Sequence, residues 1–248
     1  PALLAGVPAQ AAIRIMPLGD SITYGDANGG YRNSLYTQLT NAGYSIDFVG
    51  SVTSGNLPDP QHEGHPGWRA DHIRDNITNW LNTNPADIIL LHIGTNDIGS
   101  GELAPQITAE IGQILDRIND YEIAHGTSIP VILARIINWA DPQSTQGRET
   151  TTLNASIQTM ADGRILNGDR LMVVDMEKAL SYPGDLVDLV HPNAGGYVKM
   201  ANVWFNALNS LFCTRSDFVS DTIPATMARG GSYSCSITMK NSGCKWIC

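Results

Sequence analysis

The sequence predicts one α/β domain carried on a parallel five-stranded sheet, for three reasons. Five short runs rich in β-branched and aliphatic residues alternate with segments of helical periodicity. These runs are continuously apolar instead of alternating, as expected of strands covered on both faces. Strand, helix and strand also follow in the βαβ order that parallel pairing requires. A chain of 248 residues, 42% hydrophobic and 16% charged, can fill a single core of that size.

The first strand is the run from Ile13 to Leu18, broken by Gly19-Asp20-Ser21. Gly19 is expected to let the backbone turn sharply, which sets Ser21 just beyond the carboxyl end of the strand, where open α/β sheets hold their ligands. A serine after a strand is usually a helix cap and less often a nucleophile, so its role depends on what joins it. Asp26 to Gly30 reads as a turn, Tyr31 to Leu39 as a helix closed by Gly43, and Tyr44 to Gly50 as the second strand.

His62-Glu63-Gly64-His65-Pro66-Gly67-Trp68-Arg69 reads as a loop. Its histidines lack the four-residue separation that helical metal ligation requires, and Gly64 and Pro66 suit a rigid turn that brings backbone N–H groups to a ligand. A helix from about Asp71 to Leu81 precedes the third strand, Asp87 to Ile93, which ends in Gly94-Thr95-Asn96-Asp97. His92 lies inside that strand and is expected to be buried and hydrogen-bonded. Asn96 lies just past its end, where a side-chain amide can donate to a developing negative charge.

A helix from Leu103 to His125 leads to the fourth strand, Ile129 to Ile137, which releases Asn138 and Trp139. Another helix, Glu149 to Leu166, leads to the fifth strand, Leu171 to Asp175. Beyond it, Pro192 holds His191 out of the α region and Asn193 caps a helix running to about Leu211. Asp188, three residues before His191, can reach Nδ1 and fix its tautomer, leaving Nε2 to take a proton from a serine. Asp185 is the rival orienter.

The net charge of −9 argues against nucleic acid or an anionic membrane as partner. No stretch approaches the length of a membrane span, and Pro1 to Ala12 lacks the pattern of an intact signal peptide. Cys213, Cys235, Cys244 and Cys248 all lie in a final segment dense in Gly and Ser, which points to two disulfides in an extracellular protein. The organisation expected is a domain over 1–212 and a cysteine-rich tail over 213–248, in a monomer. Asn76-Ile77-Thr78 and Asn154-Ala155-Ser156 are glycosylation sequons.

Ser21, Gly67, Asn96, Asp188 and His191 each follow a strand, so they should gather along one edge of the sheet. Their types supply one complete serine-hydrolase set: nucleophile, base, orienter and oxyanion donors. The chain here resembles the SGNH, or GDSL, hydrolases. Gly19-Asp20-Ser21 is similar to the first block, Gly67 to the second, Gly94-Thr95-Asn96-Asp97 to the third and Asp188-Leu189-Val190-His191-Pro192 to the fourth, with Gly64 competing for the second. Tyr31-Arg32, the His62–Trp68 segment and the stretch from His191 to Tyr197 resemble acetyl xylan esterases of carbohydrate esterase family three.

The resemblance implies a three-layer α/β/α fold with strand order 2-1-3-4-5 and hydrolysis through an acyl-serine, with no obligatory cofactor. It implies an acetylated polysaccharide or small acetyl ester as substrate, with xylan as the favoured polymer. Trp68, Asn138 and Trp139 are the candidate sugar contacts. The alternatives are a non-catalytic carbohydrate-binding protein on the same fold, or a lipase or thioesterase acting on other short esters.

Overall fold

The computed structural model describes residues 11–213, 216–222 and 236–241, the strands after 213 by their backbone alone. In chain order the elements are β1 (Ile13–Gly19), α1 (Ser21–Tyr24), α2 (Tyr31–Asn41), β2 (Ile46–Phe48), β3 (Val52–Thr53), β4 (Gln61–Gly64), α3 (Ala70–Thr83) and β5 (Ile88–His92). They continue with α4 (Thr95–Gly99), α5 (Ala104–His125), β6 (Val131–Arg135), α6 (Thr145–Leu166), β7 (Leu171–Asp175), α7 (Ala194–Cys213), β8 (Ser216–Asp221) and β9 (Ile237–Asn241).

β1 is the axis of the sheet. It pairs in parallel with β5 from Ile15↔Ile88 to Gly19↔His92, and β6 and β7 follow in parallel beyond β5. On its other side β2 covers the amino-terminal half of β1. The five expected strands therefore run 2-1-3-4-5.

The sheet has seven strands, two more than expected. β4 takes over the carboxyl end of β1, pairing Leu18↔Glu63 and Gly19↔Gly64 in parallel, and β3 pairs antiparallel to β4. This corrects the reading of His62 to Gly64 as loop. Gln-His-Glu-Gly carries no apolar pattern, yet His62 and Glu63 are buried because other parts of the chain satisfy their polar atoms.

Alternation along the strands builds two layers. Met16, Leu18, Ile89, Leu91, Val131 and Leu133 face one core layer, shared with Ile73, Ile77, Ile107, Ile111, Ile114, Leu153 and Ile157 from α3, α5 and α6. Ile15, Leu90 and Ile132 are equally buried and point the other way, as do the buried apolar residues of α2 and the first part of α7. There Tyr31 and Trp204 meet with ring centroids 6.0 Å apart. Helices on both faces of a mostly parallel sheet are the α/β/α arrangement.

The chain divides into two compact units, Pro1–Phe205 and Asn206–Cys248. Within the second, β8 and β9 form a two-stranded antiparallel sheet registered from Ser216↔Asn241 to Asp221↔Ile237. Cys235, Cys244 and Cys248 lie outside the described residues. So does any pairing expected of them.

Candidate active site

The nucleophile platform starts at Gly19. Its φ is negative, so its role is not a left-handed turn: a Cβ there would stand 2.1 Å from the carbonyl oxygen of His92 on the neighbouring strand. Only glycine permits β1 and β5 to close that tightly. Asp20 then caps α1, its Oδ1 accepting from the Ile22 N–H at 2.9 Å, and Ser21 becomes the first helical residue, partly exposed. Burial pushes the Asp20 carboxyl up to about 7, with nearby Asp97 adding to the rise. The Ser21 N–H has no partner among the described residues, as expected of the first N–H of a helix.

A buried guanidinium holds this platform from beneath. Arg32 of α2 is fully buried and meets no carboxylate among the described residues; its Nε donates to the Thr23 carbonyl at 3.0 Å. Its remaining nitrogens donate to the carbonyls of Pro60, Tyr24 and Ser54 and to Ser54 Oγ, at 2.8–3.1 Å. Burial lowers its pKa to about 10, so it stays a cation at neutral pH. One side chain thus ties α1 to the segment around β3 and β4. Sequence reading placed Arg32 only in a family-like segment and gave it no role.

His62 and Glu63 complete the same platform. His62 Nδ1 accepts from the Gly64 N–H at 2.8 Å and its Nε2 donates to Ser54 Oγ at 2.7 Å, which defines a neutral tautomer. Its pKa is depressed to about 3, first by burial and then by Arg32. Glu63 accepts from Ser51 Oγ at 3.0 Å and from His65 Nε2 at 2.8 Å. These side chains are spent on protein partners, in keeping with the reading that they are not a metal site.

That bonding also separates the two candidate glycines. Gly64 has given its N–H to His62, and a Cβ on it would meet the Tyr24 nitrogen at 2.5 Å, so it serves packing beneath α1. Gly67 lies in the turn His65-Pro66-Gly67-Trp68, closed by the Trp68 N–H on the His65 carbonyl at 3.1 Å, with φ +80° at Gly67. Proline followed by a positive-φ glycine is the signature of a type II turn. The Gly67 N–H has no partner among the described residues.

Asn96 begins α4 just past β5, one residue after Thr95. Its Nδ2 donates to the Trp68 carbonyl at 2.8 Å, which brings it to the Gly67 turn. An amide nitrogen carries two hydrogens, so the bond that orients Asn96 leaves a second donor. His92, expected to be a hydrogen-bonded core residue, is fully buried; its Nε2 accepts from the Ile137 N–H at 3.3 Å, and burial lowers its pKa to about 4.

The base arrives from the loop between β7 and α7. The Val187 N–H donates to the His191 carbonyl and the Asn193 N–H to the Asp185 carbonyl, at 2.9 and 2.8 Å, so the loop doubles back on itself. Asn193 caps α7 through the Gly196 N–H. His191 Nε2 lies 2.9 Å from Ser21 Oγ, and His191 Nδ1 lies 2.8 Å from Asp188 Oδ2. Asp188 Oδ1 accepts from the backbone N–H groups of Val190 and His191. Burial would raise the Asp188 carboxyl, but these bonds and His191 together hold it below its usual value. Asp185, the rival, is engaged by Lys199 and the Ser181 N–H. Of the two candidates, Asp188 is the one within hydrogen-bond distance of His191.

The three candidate sugar contacts fare differently. Trp68 is partly buried, its ring stacked on His65 at 4.2 Å, with His65 in turn stacked on Trp80 at 4.7 Å. Asn138 is turned inward: it is 2% exposed, and its amide is spent on Thr151, Glu177 and the Trp139 N–H. Its side chain is committed to protein partners, and it lies in the wall of the cavity bounded by Arg148 and Glu177. Trp139 packs against the core with a buried Nε1.

Asp97, Glu102 and Glu110 have carboxylate oxygens within 4.8 Å of one another, the group among the described residues with cation-binding spacing. Arg69 faces Glu102 at 3.2 Å and Arg74 faces Glu110 at 4.0 Å, so the protein supplies its own cations there.

A serine, an imidazole and a carboxylate linked at hydrogen-bond distance beside unspent amide donors, on the carboxyl edge of a parallel sheet, are the groups that ester hydrolysis through a serine requires. Residues 18–199 match the GDSL-like lipase/acylhydrolase family, and the chain belongs to it. A family 3 carbohydrate esterase from Clostridium thermocellum is 32% identical, with a TM-score of 0.69 over 81% of this chain and 99% of that one. A family 3 carbohydrate esterase from Talaromyces cellulolyticus is 28% identical, with a TM-score of 0.71 over 80% and 97%. A multidomain esterase of Ruminococcus flavefaciens is 29% identical over 90% of this chain, which spans 32% of that protein's length.

Proposed function

We propose that this chain is an extracellular acetylesterase that removes O-acetyl groups from plant cell-wall polysaccharide through an acyl-serine intermediate. The observation that carries the chemistry is the unbroken line from Asp188 through His191 to Ser21 Oγ. His191 Nε2 takes the hydroxyl proton as Ser21 Oγ attacks the acetyl carbon. The oxyanion that forms is met by the N–H groups of Ser21 and Gly67 and by Asn96 Nδ2. Collapse breaks the bond to the sugar oxygen, which leaves with the proton from His191. Water, deprotonated by His191, then releases acetate and restores Ser21.

Similarity to family 3 carbohydrate esterases supports the carbohydrate substrate, and the cysteine-bearing tail supports an extracellular setting. A short acyl group is expected above all. Acetate release from acetylated xylan, with rates on acetyl, butyryl and octanoyl esters of one alcohol, tests this. Acetylated xylan left untouched while octanoyl esters turn over fastest would remove the carbohydrate assignment and leave the esterase one.

A further inference from the structure

A second feature lies on the same edge of the sheet, beyond Asn138. Arg135 ends β6, Glu177 and Lys178 follow β7, and Arg148 stands in the first turns of α6; together they line a cavity of about 530 Å³. Its size falls within the range of small-molecule sites. Three cations and one carboxylate surround it on a chain whose net charge is −9, so it is a local reversal of sign.

The carboxylate is already committed. Glu177 Oε1 accepts from Asn138 Nδ2 at 2.8 Å and Thr151 Oγ1 at 2.6 Å, while Oε2 accepts from Asn154 Nδ2 at 3.0 Å and faces Arg135 at 3.8 Å. Arg135 also pairs with Asp175 at 3.1 Å. Lys178 reaches Asp175 only at 3.6 Å and is 79% exposed. Arg148 differs from all of these. It donates to the neutral carbonyl of Gln143, and among the described residues no carboxylate lies within ion-pair distance of it. A guanidinium with most of its donors unspent is shaped for bidentate contact with a carboxylate.

The cavity is joined to the catalytic loop. Asn138, in its wall, leads through Trp139 to Ala140, whose N–H donates to the carbonyl of Leu189, between Asp188 and His191. β6 and β7 stand two and three strands from β1, a lateral step of roughly 10–15 Å at ordinary strand spacing. A short oligosaccharide covers that distance. Pro142 and Leu180 give the cavity an apolar wall for the face of a sugar ring, more than an inorganic anion needs.

We propose that this cavity is a subsite for a carboxylate-bearing sugar, a uronic-acid substituent on the same polymer whose ester Ser21 cleaves. The proposal rests on the polysaccharide reading above. A free anion such as phosphate shares part of the chemistry and is separated by the test.

Acetate release would be measured from two acetylated xylo-oligosaccharides, one neutral and one bearing a uronic acid, for the wild type and Arg148→Gln. Hydrolysis of 4-nitrophenyl acetate in each variant reports on the triad. Glucuronic acid and inorganic phosphate would be titrated separately against both proteins. The wild type should favour the acidic oligosaccharide in KM by about tenfold, and Arg148→Gln or about 0.5 M salt should erase that preference. Glucuronic acid should bind the wild type and lose about tenfold in Arg148→Gln.

Equal KM for the two oligosaccharides, an unchanged preference in Arg148→Gln, or binding of phosphate without glucuronic acid would each overturn the subsite. If neither oligosaccharide is deacetylated, the polysaccharide reading fails, and the glucuronic acid titration still decides whether the cavity takes a uronate.

Discussion

The two halves of the active site are built differently. Ser21 stands on a buried platform where Gly19 and Gly64 allow backbone contact and Arg32 and His62 spend their polar atoms on neighbouring carbonyls, a hydroxyl and an N–H. His191 and Asp188 hang from a surface loop, their side chains 37% and 51% exposed, held by bonds among residues 185–193. Ser21 is positioned by long-range burial, and His191 by local hydrogen bonding. Damage to the platform beneath Ser21 should therefore appear in stability as well as rate, and damage to the loop in rate alone.

The largest effect belongs to the reacting atom itself. Ser21→Ala should reduce turnover by about 10⁶-fold with an unchanged melting temperature, since it removes one partly exposed oxygen. Near-normal acetate release in that variant would end the serine-hydrolase assignment.

Arg32→Met should break the platform. It leaves the carbonyls of Thr23, Tyr24, Ser54 and Pro60 without their buried donor, and bonds to a charged group carry more than neutral ones. A loss of roughly 3–5 kcal/mol in denaturant unfolding is expected. A shift under about 1 kcal/mol would show that α1 is held by packing instead. Asn96→Ala should lower kcat by about 10²- to 10³-fold at little cost in stability, the signature of a lost oxyanion donor. A change confined to KM would assign Asn96 to substrate binding.

Asp20 gives the platform a pH signature. Its folded pKa of about 7 lies above the ordinary value for an aspartate, so between about pH 4 and 7 the folded state holds a proton that the unfolded state has released. Stability should fall as pH rises through that window. Asp20→Asn keeps the acceptor for the Ile22 N–H and removes the ionisable group. The variant should gain about 1–3 kcal/mol over the wild type above pH 7 and lose that advantage below pH 4, read from unfolding curves at each pH. A pH-independent difference would mean that Asp20 is not ionising at that site.

Much of this was legible from residue type and order. Continuous apolar runs gave the five long-range strands, and the triad was legible because a strand end fixes where a side chain emerges. Asp188 could be placed beside His191 because three residues in a constrained loop suffice for contact. What escaped depended on partners remote in sequence. β4 has no apolar pattern, since the partners that let His62 and Glu63 be buried, Ser54 and Ser51, come from other segments. Arg32 on a helix looks like a solvated cation until four carbonyls close around it. Asn138 has the composition of a sugar contact, yet Glu177 and Thr151 draw it inward. The cavity lined by Arg148 exists only where β6, α6 and β7 converge.

The smallest effect sharpens the contrast most, because it turns on one hydrogen. Asp188 Oδ1 is fixed by two backbone N–H groups, which leaves Oδ2 for His191 Nδ1. In Asp188→Asn the same two N–H groups keep an oxygen at that position, so the amide nitrogen must face the imidazole. It donates to Nδ1, sets the proton on Nε2, and presents Ser21 with a donor where a base is needed. Asp188→Ala imposes no tautomer, and at a half-exposed position water can accept from Nδ1. The alanine variant should lose less in kcat than the asparagine variant, and both less than His191→Ala. If Asp188→Ala proves slower than Asp188→Asn, the carboxylate acts mainly through its charge, and the exposed half of the site depends on electrostatics more than on the geometry of its loop.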